Sequence, residues 1–597
     1  MFPRVASLLL AGFVIAGAVS ALAQSAMPPM EGMHAFPPPD QLPPPVRMTG
    51  IGNSHITIKA TPEAQAWFDQ GLSLLHDFWD YESARAFEQG IRVDPNCAMC
   101  YWGLSQAEGM RGTGTKMYGQ QALDQAVRLE NKASKTDRLY IEAAKAESQQ
   151  DEGKNPQATA LYRQLVKKAP HDIEARIFLA NAVGDGYDDK GEPKPGMKEK
   201  IAILEGVLKE APNDSAANHY WIHAMEPSQH PERAIDSAAK LASLAPASGH
   251  MVHMPGHIYY RVGDYASADR WFTASTQADE RYLREQHVSV DDDWNYVHNL
   301  MYAIANLMEQ GRLADANALS DHLAAAHGEL SASLYIWNAR DQITRVSLRL
   351  PVALRTGDWS AVLTQLDSAK LSDSDKTTNL RFLRDELRSF ATGMLALEKG
   401  DVAAAQAASS AMDAGLWRQE HDARSDSDEK KKAGDSAAAG KNDKPTAPLD
   451  PDALAGPLMQ SLSIASLELR GSVLLAQGKT EAGRKLYTQA IAAEKKMGYH
   501  EPPFYIRPVA ESEGEALLRA KQYAEAKAAY QLALDERPNS GFELYGIAHA
   551  DELAGNTAQA RTEYQTFLKA WPSADAGLAE VQHARAAVGN AETVAGK

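Results

Sequence analysis

Cysteine is nearly absent: Cys97 and Cys100 are the only two in 597 residues, too few to staple a disulfide scaffold together. Positive charge is in deficit, with 61 Lys and Arg against 78 Asp and Glu and a formal net charge of −17. That balance disfavours nonspecific binding to nucleic acid or to an anionic membrane. Long apolar runs are missing beyond the first two dozen residues, so no stable membrane insertion is expected. Phosphate-cradling glycine loops, a dinucleotide fingerprint, a serine nucleophile elbow and an HExxH zinc-peptidase motif are also absent. Their absence removes the usual signatures of nucleotide enzymes, serine hydrolases and zincins.

The one apolar run, Val5–Val19, follows Arg4 and precedes the small-x-small stretch Ala21-Leu22-Ala23. This is the pattern of an export signal cleaved before Gln24. The expectation is a signal peptide over 1–23 and a periplasmic or secreted protein. Residues 24–59 read as a Pro-rich leader, extended or disordered through Val46. Helical text starts at Thr61-Pro62-Glu63, a capping residue with proline in the first turn. It fills a long N-terminal array over 60–412 and a shorter C-terminal array over 457–580. The charged, Ala/Gly-rich stretch 413–456 between them reads as a flexible linker or insertion, and 581–597 as a tail.

A periodic frame runs through both arrays. Trp67, Gly71, Ser83, Phe87, Gly90 and Pro95 set it out first. Gly256, Ala268, Phe272 and Ser275 repeat it, as do Gly471, Gly483, Tyr487 and Ala490. Gly514, Ala526, Tyr530, Ala533 and Pro538 form a further unit, followed by Ala548, Ala560, Tyr564 and Pro572. Small residues let two antiparallel helices approach, the aromatic fills the gap to the next hairpin, and proline stops the second helix. The frame resembles the tetratricopeptide repeat, with a large residue at position 4, small ones at 8, 20 and 27, an aromatic at 24 and proline at 32. The resemblance implies an all-α fold, an α-solenoid or right-handed superhelix of antiparallel helix pairs. It also implies a concave groove lined by first-helix positions 2, 5, 9, 12 and 13, where a peptide, protein or small ligand would lie.

Six of the 18 histidines fall between Asn218 and His257. In repeat coordinates His219 and His253 both occupy position 5, while His223 and His257 occupy position 9. Each equivalent pair is 34 residues apart, one repeat. Within a helix the i,i+4 spacing puts each pair on one face. Glu226 stands at position 12, His250 at position 2, and His298 at position 2 of a later unit. His219, His223, Glu226, His250, His253, His257 and His298 are therefore the candidate ligands of one or two divalent metals (Zn, Cu or Fe) or a small ligand. Glu226 is also the candidate catalytic base on a metal-bound water. Because Pro227 ends its helix early, Glu226 is expected at an exposed tip. The competing expectation is a non-catalytic scaffold whose histidines cap helices and stack on aromatics.

Lesser signals surround this set. The acids Asp291, Asp292 and Asp293 precede His298 as second-layer acceptors or a charged helix cap. His230 reads as part of a plain helix start, and Met251 and Met254 as core filler or soft ligands. Cys97 and Cys100 read as a local disulfide, free core residues, a redox pair or half of a metal site with His76. Asn181 and Asp185 are placed in the concave channel. His500, Glu501, Tyr505 and Arg507 read first as a repeat junction, with ligand contact as the alternative if the C-terminal array curls over the groove. His549 and Glu552 fall at concave positions 9 and 12.

Overall fold

Thr61 caps the first helix, Pro62–His76, by accepting from the Ala64 amide, and the chain continues as antiparallel helical pairs. The computed structural model describes residues 36–111, 115–149, 154–188, 191–326, 339–371, 378–432 and 456–589. These hold 26 α-helices and no β-strand, a helical-repeat solenoid as the frame predicts. The signal-peptide reading of 1–23 lies outside the described residues.

Close packing accounts for the frame residues. Phe87 is fully buried between Gly71 and Gly103. A Cβ added at those glycines would fall 2.8 Å and 2.2 Å from its ring. Tyr530 sits in the same way between Gly514 and Gly546, at 2.8 Å and 2.4 Å. The aromatic of one hairpin is thus clamped by the small residue of its own first helix and that of the next. Overfilling such a contact costs about 1–3 kcal/mol.

The structure adds detail at three boundaries. From residue 36 onward the leader is docked, because it has apolar side chains to bury: Leu42, Ile51, Ile56 and Ile58 all lie in the core. The Arg85 guanidinium donates to the carbonyls of Pro43 and Pro44 at 2.9 and 2.7 Å. Further on, Asn53 pairs with Ser215 and the Gly50 carbonyl accepts from Ala247. Secondly, the helix Val402–Lys432 runs on past residue 412, where the N-terminal array was expected to end; its buried Ala405 and Met412 lie on the array side of that boundary. Thirdly, the tail opens with a helix, Ala579–Gly589, that buries Val581 and Ala584 against its neighbour.

The two arrays are joined by buried polar contacts. Arg355, fully buried, donates to Glu309 at 2.8 and 2.9 Å and to Glu511 at 2.6 Å. Arg537 reaches the same Glu309 at 2.9 Å, and the Trp571 indole donates to the Glu309 carbonyl at 2.7 Å. Burial works against the Glu309 charge, but Arg355 and Arg537 outweigh it and hold the carboxyl at about 2. Removing one partner from such a buried cluster costs about 3–5 kcal/mol.

Candidate metal centre

The helices Ser215–Met225, Gly249–Arg261 and Trp294–Glu309 carry all six candidate histidines. His219 and His223 lie one turn apart, and His250 of the next helix comes up to meet them. His219 Nε2 is 3.2 Å from His250 Nε2 and 3.0 Å from His223 Nε2. One repeat later His253 and His257 are again one turn apart, their Nε2 atoms facing each other at close range. His298 joins them, with its ring centroid 4.8 Å from that of His253. In each triad the ligand nitrogens lie within 4.8 Å of one another. All six rings are buried except His223, which keeps 21% of its side-chain exposure. Positions 5 and 9 of one unit therefore close with position 2 of the next. The four repeat-equivalent imidazoles thus fall into two groups, His219 and His223 in one and His253 and His257 in the other.

The far nitrogens fix the chemistry of the near ones. His219 Nδ1 is 2.6 Å from the His76 carbonyl oxygen, which can only accept, so this nitrogen carries the proton. His253 Nδ1 faces Asn299 Oδ1 at 2.8 Å. The Asn299 amide nitrogen is committed to the Phe272 carbonyl at 3.0 Å and to Thr276 at 2.7 Å, so the oxygen must point at the ring. Asn295 does the same for His250 at 3.2 Å, with its own amide nitrogen given to Ser275 and Asp279. His223 and His257 donate from Nδ1 to the two oxygens of Glu226, at 2.7 and 2.8 Å. With the Nδ1 protons so assigned, bare Nε2 lone pairs converge in the first triad. Acceptors on the remote nitrogen are how proteins orient imidazole ligands for a cation.

Electrostatics favour the neutral ring at His219, His250, His253 and His298 but the charged ring at His257. Burial and neighbouring imidazoles hold His219, His250 and His253 well below the usual histidine range. Burial and the nearby His257 push His298 down to about 3. For His257 burial is outweighed by Glu501 and Glu226, and its value rises to about 10. Burial likewise opposes the Glu226 charge, yet His223 and His257 hold that carboxyl well below the usual range.

The walls of the two triads differ. Phe78 lies over the first, with its ring centroid 4.8 Å from His219 and 5.4 Å from both His223 and His250. Its backbone is left-handed, φ 56°, costly for a bulky residue at about 1–3 kcal/mol. The Trp294 indole holds the turn by donating to the Phe78 carbonyl at 2.9 Å. Beside the second triad stands Glu501, with Oε2 3.2 Å from His257 Nδ1 and 3.8 Å from His298 Nε2.

The other expected residues fall as follows. Glu226 is buried, not an exposed tip, because both its oxygens are engaged by imidazoles. Of the junction residues only Glu501 reaches the site; Tyr505 donates to Glu468, Arg507 pairs with Glu511 and His500 stacks on Phe504. Met251 and Met254 are fully buried in the apolar core, and His230 is exposed beside Glu232. Cys97 and Cys100 form a disulfide. His76 bonds Glu174 at 2.7 Å and Tyr220 at 3.1 Å. Asp185 caps the Pro195–Glu210 helix through the Gly196 and Met197 amides. Asn181, with His76, Lys154, Tyr162, Phe178 and Tyr220, lines a pocket of about 350 Å³.

Comparison with known proteins bears on the scaffold. The tetratricopeptide repeat family matches residues 469–541. Among solved structures, yeast Tom70 is similar at 12% identity and a TM-score of 0.30, over 89% of this chain and 96% of that one. The APC/C hetero-tetramer Cut9-Hcn1 is similar at 12% and 0.23, over 76% and 96%. The P58(IPK) TPR domain is similar at 12% and 0.18, over 70% and 99%. No curated protein matches the sequence. Residues 469–541 thus form a tetratricopeptide repeat segment within the run of antiparallel helical pairs. No helix among the described residues is long and apolar enough to cross a membrane.

Proposed function

We propose that this protein binds two divalent transition-metal ions, one in each histidine triad on adjacent repeats. The observation that carries the reading is the first triad. His219 Nε2 lies 3.0 and 3.2 Å from the Nε2 atoms of His223 and His250 while every Nδ1 is tied to an acceptor. Bare lone pairs so close repel, and a cation between them turns that repulsion into ligation. His219, His223 and His250 would hold one ion, and His253, His257 and His298 the other. Imidazole nitrogens suit Zn, Cu or Fe. An ion in the second triad would displace the extra proton that Glu226 and Glu501 favour on His257, and either ion would supply Lewis acidity when bound. Glu226 orients one ring of each triad, and in this reading it is a positioning residue, not the base on a bound water.

A second reading, a binding scaffold, is supported by the repeat segment and by the 350 Å³ pocket. That pocket shares His76 with the metal centre, since the His76 carbonyl anchors His219. A peptide or small ligand seated there would lie next to the first ion. The Cys97–Cys100 disulfide fits an oxidising compartment, and with the amino-terminal signal pattern it supports a periplasmic or secreted location.

Thermal unfolding with and without added Zn, Cu and Fe salts tests the metal reading. A ligand at 100 times its dissociation constant stabilises the fold by about 2.7 kcal/mol per site. The account expects a rise in Tm with at least one of these metals. An unchanged Tm with all of them rejects it.

A further inference from the structure

A second cluster, far along the chain, repeats part of this design. His549 and Glu552 stand at positions 9 and 12 of the unit that begins at Gly541, and His583 at position 9 of the next unit. These are the registers of His223, Glu226 and His257, with the same 34 residues between the two histidines. Shared register produces shared geometry. His549 Nδ1 and His583 Nε2 each lie 3.2 Å from Glu552 Oε2, just as two imidazoles close on Glu226. The three ligand atoms lie within 4.8 Å of one another.

Two tyrosines hold the cluster in place. The Tyr545 hydroxyl is 2.8 Å from His583 Nδ1, and the Tyr564 hydroxyl donates to Glu552 Oε2 at 2.6 Å. Tyr545 occupies position 5, where the buried triads have histidine. A tyrosine there trades a ligand for an orienting partner. The surroundings change as well: the side chains of His549, Glu552 and His583 are 29%, 33% and 37% exposed, so an ion reaches them without any opening of the fold.

We propose that His549, Glu552 and His583 form a third divalent-metal site, open to solvent and independent of the buried triads. Two imidazoles and a carboxylate are a donor set used for zinc, with positions left for water or an incoming ligand. When the Tyr545 hydroxyl accepts from His583 Nδ1–H, the Nε2 lone pair is free for the ion.

The test is a Co²⁺ titration of the full chain carrying His219→Ala and His253→Ala, which removes a ligand from each buried triad. One equivalent should bind with visible d–d absorption. Adding His549→Ala and His583→Ala should abolish that band with helicity unchanged, and Tyr545→Phe should weaken binding roughly 10-fold. Absence of binding in the first variant, or equal binding after the added pair, overturns the proposal. If the first variant does not fold, His549→Ala plus His583→Ala in the otherwise native chain must lower bound Co²⁺ by one equivalent. An unchanged count overturns it equally.

Discussion

His219, His223 and His250 meet beneath the ring of Phe78, whereas His253, His257 and His298 meet beside the carboxylate of Glu501. The same three repeat positions build both triads, so the solenoid supplies convergence by translation alone. What distinguishes them comes from outside the repeat frame: a strained turn of the first hairpin in one case, a junction of the C-terminal array in the other. Repetition makes the site, and irregular segments set its charge and its access. Glu226 connects the two, since one carboxylate orients a ring in each.

The comparison breaks most completely if the triads are not separable. His219→Ala should remove the first ion and spare the second, and His253→Ala should do the reverse. Titration calorimetry should therefore show one binding event fewer in each variant than in the native chain. Next in size is Glu226→Gln. The amide cannot accept from both imidazoles with the strength of a carboxylate. Both sites should then weaken together, by roughly 10–100-fold, the usual cost of losing an orienting partner.

Smaller and sharper effects separate the sites again. Asn295→Ala should weaken only the first site and Asn299→Ala only the second, each by roughly 10-fold, as measured by competition with a chelating dye. Phe78→Gly relieves a left-handed backbone that glycine adopts freely, so the metal-free protein should gain about 1 kcal/mol in denaturant unfolding. The same change uncovers the first triad. Stopped-flow chelation should show faster metal release there and none of that acceleration at the second site.

The repeat frame made much of this legible in the sequence. Positions 5 and 9 named His219, His223, His253 and His257, and position 2 named His250 and His298. One or two ions were both open in the sequence, and which histidines close together was not legible, because register along one helix does not say which neighbour closes it. Asn295 and Asn299 were overlooked beside the more conspicuous acids Asp291 to Asp293. Their four-residue spacing around His298 was the available signal. Glu501 was legible only as the alternative reading of its junction, and Phe78 reaches the site from a turn with no repeat register and no local mark of its destination. The docking of the leader was not legible: its prolines suggested an extended or disordered segment through Val46, although Phe36 and Leu42 had apolar surface to bury.

The central claim is that two buried imidazole clusters are built for cations, and metal stoichiometry tests it directly. Elemental analysis of untagged protein, purified under metal-replete conditions, should show two more equivalents of divalent metal in the native chain than in the His219→Ala plus His253→Ala variant. The same metal content in both, or none in the native chain, would contradict the account.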